Sequence, residues 1–157
     1  MKKHKKPLSI PQEKLFPSLP AQVVENLYRM GWYVQSEMAS FFKPYKLTPQ
    51  QFNTMRILTN KEIEKTGLPT LELMYYLIQK LPDITRLINH LEKLQYVERY
   101  RIANDRRVVM VRITAKGKKL VNFLETPIIK TAEERLKHYS KEELVDFNNL
   151  LIKLMNS

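Results

Sequence analysis

The helical apolar period of this chain is interrupted once, and the place where it is interrupted limits the fold more than any other feature. From Thr48 to Gln95 apolar residues recur three or four positions apart, in separate runs broken by polar loops. Such spacing lays them along one face of a helix. After Gln95 the spacing drops to alternation. Tyr96-Val97-Glu98-Arg99-Tyr100-Arg101-Ile102 and then Val108-Val109-Met110-Val111-Arg112-Ile113 read as strands rich in β-branched residues. Between them Ala103-Asn104-Asp105-Arg106-Arg107 predicts a tight turn with a basic tip. The turn has no glycine, so Asn104 or Asp105 must take its unusual dihedrals. Short helices followed by a hairpin give a fold that is mainly α with a small β-hairpin wing, the layout of a winged helix-turn-helix.

Helix boundaries are marked by capping residues. Thr48-Pro49-Gln50-Gln51 is a capping box opening a helix with Phe52, Met55, Ile57 and Leu58 on one face. A polar loop from Asn60 to Thr66 closes at Gly67, and Thr70 is the expected cap of a helix reaching Lys80. The next helix is expected from Pro82 to Gln95, with Ile84, Leu87, Ile88, Leu91 and Leu94 inward. Outside this block, Ala21 to Tyr45 carries a long helical pattern ending near Pro44. Thr114 should cap a helix that bends at Pro127 and continues to about Tyr139, and Ser140-Lys141-Glu142-Glu143 opens a final one. The expected organisation is a basic, Pro-rich arm (1–18), an N-terminal dimerisation helix (19–46), the winged helix-turn-helix (47–114) and C-terminal dimerisation helices (115–157). A two-fold dimer is expected because the outer helices carry more apolar surface than one small core covers.

Charge points to the partner. Lys and Arg number 27 against 16 Asp and Glu, a formal +11. That excess favours a polyanion, either nucleic acid or an anionic membrane. The basic start Lys2-Lys3-His4-Lys5-Lys6 lacks the apolar face of an interfacial helix, and it leads into no apolar stretch like that of a secretory signal. Double-stranded DNA in the cytoplasm is therefore the expected setting, with no membrane partner. With no cysteine there is no thiol redox sensor and no thiolate metal site. His4, His90 and His138 are scattered, and no Gly-rich loop is present, so no catalytic set, metal site or cofactor is expected.

The helix Ile84-Thr85-Arg86-Leu87-Ile88-Asn89-His90-Leu91-Glu92-Lys93 resembles the recognition helix of MarR-family regulators. Val97-Glu98-Arg99, Asp105-Arg106-Arg107-Val108-Val109 and Ile113-Thr114-Ala115-Lys116-Gly117 follow at the family's spacing, and Thr48 with Gln51-Phe52 matches its earlier helix. The resemblance covers roughly residues 47–120. It implies a homodimeric, sequence-specific transcriptional regulator, a repressor acting on a pseudo-palindromic operator. The alternative within the same fold is an architectural protein with little sequence preference.

Site residues follow from chemistry and from the resemblance together. On the recognition helix Asp83, Thr85, Arg86, Asn89, His90 and Lys93 fall outside the apolar stripe. Arg pairs with guanine, Asn with adenine, and Thr with a base or a phosphate. Asp83 stabilises the helix start or accepts from cytosine. Arg99 and Arg101 should share one sheet face, aimed at phosphates or the base of the wing, while Arg106 and Arg107 reach a minor groove. Asp105 is placed to orient Arg107 by a bidentate pairing, a role the resemblance also implies. It further implies a small aromatic or anionic effector bound where the dimerisation helices meet the winged helix. Trp32, Tyr33, Tyr75 and Tyr76 are the candidates for lining that crevice, although core packing is the plainer expectation for Tyr75 and Tyr76.

Overall fold

Ser18 opens the first helix, its hydroxyl accepting from the Ala21 amide at 3.4 Å. The computed structural model describes residues 15–16, 18–60, 63, 65–77, 84–102 and 105–157, the side chains of 102 and 105–107 excepted. Helix α1 spans Leu19–Phe42, and Lys43–Tyr45 tightens into a 3-10 turn around Pro44. The turn closes on Lys46, which takes a left-handed φ of 56°. Its amide donates to the Lys43 carbonyl at 3.1 Å, and the Leu47 amide donates to Phe42 at 3.3 Å. This pair of bonds is a helix C-cap that glycine usually fills. Helix α2, Pro49–Leu58, opens with the expected capping box. The Gln51 amide donates to Thr48 Oγ1 at 3.2 Å, and Gln51 Oε1 accepts from the Thr48 amide at 2.9 Å.

The chain divides into two compact units, the first ending at Phe52 and the second starting at Asn53. In the first, Phe42 stacks on Phe52 with ring centres 4.6 Å apart, and Phe41 meets Phe42 edge-on at 5.1 Å.

The second unit holds α3 (Thr70–Tyr76), α4 (Ile84–Lys93), α5 (Ala115–Leu136), α6 (Lys141–Met155) and a three-stranded antiparallel sheet. Strand β1 is Leu68–Pro69, β2 is Val97–Ile102 and β3 is Asp105–Ile113, in the order β1-β3-β2. The core draws on every layer: Met55, Leu58, Leu73, Ile88, Leu91, Val111, Val121 and Leu124 are fully buried. Each such side chain stabilises the fold by about 1.5–3 kcal/mol.

Several expectations need correction. β1 was not anticipated; it pairs Leu68 with Val111 and Pro69 with Met110. It approaches so closely that a Cβ on Gly67 would lie 2.5 Å from the Val111 carbonyl oxygen, and Gly67 also holds φ at +66°. Thr70 does not cap α3. Pro69 holds the cap position, and the Thr70 hydroxyl instead donates to the Val109 carbonyl at 2.9 Å, tying the helix start to the sheet. α3 stops at Tyr76 because Leu77 is extended (ψ 131°), and residues 78–80 lie outside the described residues. Asp105, Arg106 and Arg107 belong to β3 rather than to the turn, with Asp105 opposite Ile102 after a register shift at Arg101 and Ile102. Tyr75 and Tyr76 are not core residues in this chain, being 88% and 55% exposed. Helix α5 runs through Pro127 and ends at Leu136, short of Tyr139. Its cap is as expected, the Thr114 hydroxyl accepting from Gly117 at 3.0 Å, and the Ser140–Glu143 capping box opens α6.

Candidate nucleic-acid interface

Helix α4 is two-sided. Ile84, Leu87, Ile88 and Leu91 are buried, while Thr85, Arg86, Asn89 and Lys93 are exposed. At about 100° per residue, Arg86, Asn89 and Lys93 form the ridge opposite the core. Thr85 and Glu92, two turns apart, border it on one side, and His90 borders it on the other. Burial agrees, since Glu92 and His90 are half-buried. His90 was expected to share the reading face; it lies at the edge. Asp83 and the start at Pro82 lie outside the described residues.

The end of α4 is fastened to the wing and to α5 by a dense set of hydrogen bonds. Gln95 takes a left-handed φ of 62°. Its amide donates to Glu92 at 2.8 Å while the Tyr96 amide donates to Leu91 at 3.0 Å, the glycine-type cap seen at Lys46. The three carbonyls of this turn then accept from the start of α5. Lys116 Nζ donates to Leu94 O at 2.9 Å, and the Thr114 hydroxyl lies 2.8 Å from Gln95 O and 3.1 Å from Tyr96 O. The Thr114 amide donates to Tyr96 O at 3.0 Å, and Lys116 Nζ sits 5.2 Å from the centre of the Tyr96 ring. Gly117 is buried here, pressed so close to the Tyr96 carbonyl that no Cβ fits between them. The run Thr114-Ala115-Lys116-Gly117 thus reads as a clamp on the turn that ends α4.

On the sheet, Arg99 pairs with Val111 and Arg101 with Val109, so both arginines share the face of Val97 and Ile113, as expected. Arg99 is not simply presented to solvent. Its Nε and Nη2 donate to Glu92 Oε2 at 3.1 and 2.5 Å. That hydrogen bond, with the positive charge behind it, holds the Glu92 carboxyl below its ordinary value of 4.5. On the other face Arg112 bonds Glu98 directly across the strands at 2.5 Å and lies 5.2 Å from the centre of the Tyr100 ring. A cleft of about 500 Å³ opens beside Arg99, lined also by Thr70, Glu72, Thr85 and Val109. The side chains of Asp105, Arg106 and Arg107 lie outside the described residues.

The structure therefore brings Thr85, Arg86, Asn89 and Lys93 together on one helix and sets Arg99 against its flank. Trp32 and Tyr33 are exposed on α1, Tyr33 donating to Glu37 at 3.0 Å, and Tyr75 and Tyr76 are exposed on α3. Among the described residues no three ligating side chains gather, and no helix is long and apolar enough to cross a membrane. Sequence reasoning missed Glu92 and Lys116. An acidic or basic residue on a polar helix face reads as solvated, and only the fold shows its partner.

Comparison with known proteins agrees with this architecture. The sequence pattern of the family described as "Transcriptional regulator SarA/Rot" matches residues 38–124. The HTH-type transcriptional regulator PecS of Dickeya dadantii is 24% identical over 132 residues, 84% of this chain and 79% of PecS. A crystal structure of a MarR transcription factor from Planctomyces limnophilus is 33% identical, covers 88% of this chain and 96% of that one, and superposes with a TM-score of 0.66. The S. aureus MepR–DNA complex is 21% identical with a TM-score of 0.73, covering 84% of this chain and 96% of MepR. The chain belongs to the SarA/Rot family of transcriptional regulators, among the MarR-type winged helix proteins.

Proposed function

We propose that the chain is a sequence-specific double-stranded DNA-binding repressor that acts as a homodimer on a pseudo-palindromic operator. The observation that carries this reading is α4. Its inner face is wholly buried, and its outer ridge presents Arg86, Asn89 and Lys93, with Arg99 of β2 bonded to the helix's flank at Glu92. Guanidinium and carboxamide groups on one rigid helix match the donor and acceptor code of the major groove. The structure of MepR with DNA supports the same use of the fold. The wing, with Asp105 orienting Arg107 and with Arg106 beside it, reaches the minor groove, and Arg99 and Arg101 hold phosphate. Asp83 stabilises the start of the recognition helix, and Thr85 and His90 border its reading face.

Residues 47–114 form the DNA-binding domain, and residues 19–46 and 115–157 the dimer interface, with the basic arm 1–18 outside both. Exposed apolar side chains support this assembly. α1 exposes Val24, Tyr28 and Trp32, and α6 buries none of its residues within the chain while exposing Phe147, Leu150 and Leu154. A small aromatic or anionic effector releases the DNA, and the exposed aromatics of each unit, Trp32 and Tyr33 on α1 and Tyr75 and Tyr76 on α3, are the candidates to test for its contacts.

Selection from a randomised duplex library tests the reading. Recovered sequences should share an inverted repeat with half-sites about one helical turn, roughly 34–36 Å, apart. Recovery of duplexes without any common sequence would support the architectural alternative instead.

A further inference from the structure

We infer that Glu92 is the positioning residue for Arg99 and sets how the wing strand's guanidinium meets the DNA backbone; this rests on the reading of α4 and the wing as the DNA-binding surface. Glu92 is an acidic side chain at the border of the ridge that enters the major groove, between phosphate backbones, where its charge opposes binding. Core packing does not account for it, because its side chain is 37% exposed. Its contact is with Arg99. Both Nε and Nη2 of Arg99 converge on Glu92 Oε2, at 3.1 and 2.5 Å.

Those two nitrogens form one edge of the planar guanidinium. The neighbouring edge, formed by the two Nη groups, keeps the fork of donors that a phosphate accepts. Arg99 also lines the cleft that Thr85 borders, two turns back along α4. One side chain of β2 therefore follows the flank of the recognition helix and is held at the far end by that helix's own carboxylate. An arginine fixed in advance has less rotamer freedom to lose on meeting a phosphate. It also carries the phosphate contact in register with the bases that α4 reads. Glu92 thus gives up a small electrostatic advantage to orient the larger one.

The sign of a mutation separates this role from simple charge. Removing Glu92 takes away a negative charge, so electrostatics alone tightens binding to every duplex. Positioning requires the opposite. The probes are a duplex recovered from the randomised library by the full chain and a scrambled duplex of equal length. Glu92→Ala should weaken binding to the recovered duplex about three- to tenfold, in the lower part of the range of coupling within one ion-pair network. Glu92→Gln, whose amide oxygen still accepts from Arg99, should keep most of the affinity. In an Arg99→Ala background, Glu92→Ala should no longer weaken binding. A fold defect would carry over unchanged into that background, so the cycle distinguishes orientation from stability. Equal or tighter binding by Glu92→Ala, or the same loss with Arg99 absent, overturns the inference while leaving the DNA-binding reading intact. Failure of the unaltered chain to select any duplex overturns both.

Discussion

A Cβ placed on Gly117 would lie 2.2 Å from the carbonyl oxygen of Tyr96 and 2.8 Å from Ile113 Cδ1. Gly117 sits in the first turn of α5, and Tyr96 ends the turn that closes α4. The glycine is there to let a helix start press against a backbone carbonyl, in a clamp already made by Thr114 and Lys116. Gly117→Ala should therefore destabilise the protein by about 1–3 kcal/mol, the usual cost of overpacking. Urea unfolding followed by circular dichroism measures it. An unchanged midpoint would show that the turn after α4 yields freely.

The Glu92–Arg99 pair predicts a pH dependence with a definite sign. Arg99 lowers the Glu92 pKa in the folded protein from its ordinary 4.5. The pair's contribution is then fully present above that value and disappears as pH falls through the lower folded pKa. Both side chains are about a third exposed, so the contribution is no more than about 1 kcal/mol. The unaltered protein should lose its stability advantage over Glu92→Gln in acid and keep it at neutral pH. A difference that is flat across this range contradicts the pairing.

The fold is legible in the sequence wherever the signal is local. The caps at Thr48, Thr114 and Ser140 are read within four residues, and each is made as read. The inward face of α4 follows from period alone. β1 has only Leu68 and Pro69, too few residues to show a period, and its partner is far along the chain at Met110 and Val111. Thr70 has the side chain of a cap, yet its hydroxyl answers the Val109 carbonyl across the sheet. Gln95 gives no hint of a left-handed turn, since glycine is the residue that normally announces one. At the site, the ridge Arg86-Asn89-Lys93 is readable from spacing. The partnership of Glu92 with Arg99 is not, because it joins a helix to a strand.

The wing offers a second test of opposite signs. Asp105 and Arg107 belong to one strand, two residues apart in sequence. Arg107→Ala should weaken DNA binding. Asp105→Ala should weaken it as well, because the arginine is no longer oriented, although the change makes the protein more positive. Affinities by fluorescence anisotropy decide the matter, and tighter binding by Asp105→Ala would identify Asp105 as a solvated charge.

Assembly is open to a direct check. An α6 with no buried residue and a long α1 with exposed aromatics predict a dimer that persists at micromolar concentration. Sedimentation equilibrium should give one species of twice 18.7 kDa. A folded species of 18.7 kDa contradicts the assembly and the paired half-sites with it.

The central claim is that α4 reads base edges while the β2 arginines hold phosphate. A salt titration of Arg86→Ala, Asn89→Ala and Arg101→Ala, each on a selected and a scrambled duplex, tests it most directly. Arg86→Ala and Asn89→Ala should each cost about 1–3 kcal/mol on the selected duplex and relax preference at one position per half-site. Their binding to the scrambled duplex should change little. Arg101→Ala should weaken both duplexes alike and flatten the slope of log affinity against log salt by about one for each phosphate no longer neutralised, or about two per dimer. Equal weakening of both duplexes by Arg86→Ala and Asn89→Ala would contradict the claim and leave a winged helix that binds DNA without reading it.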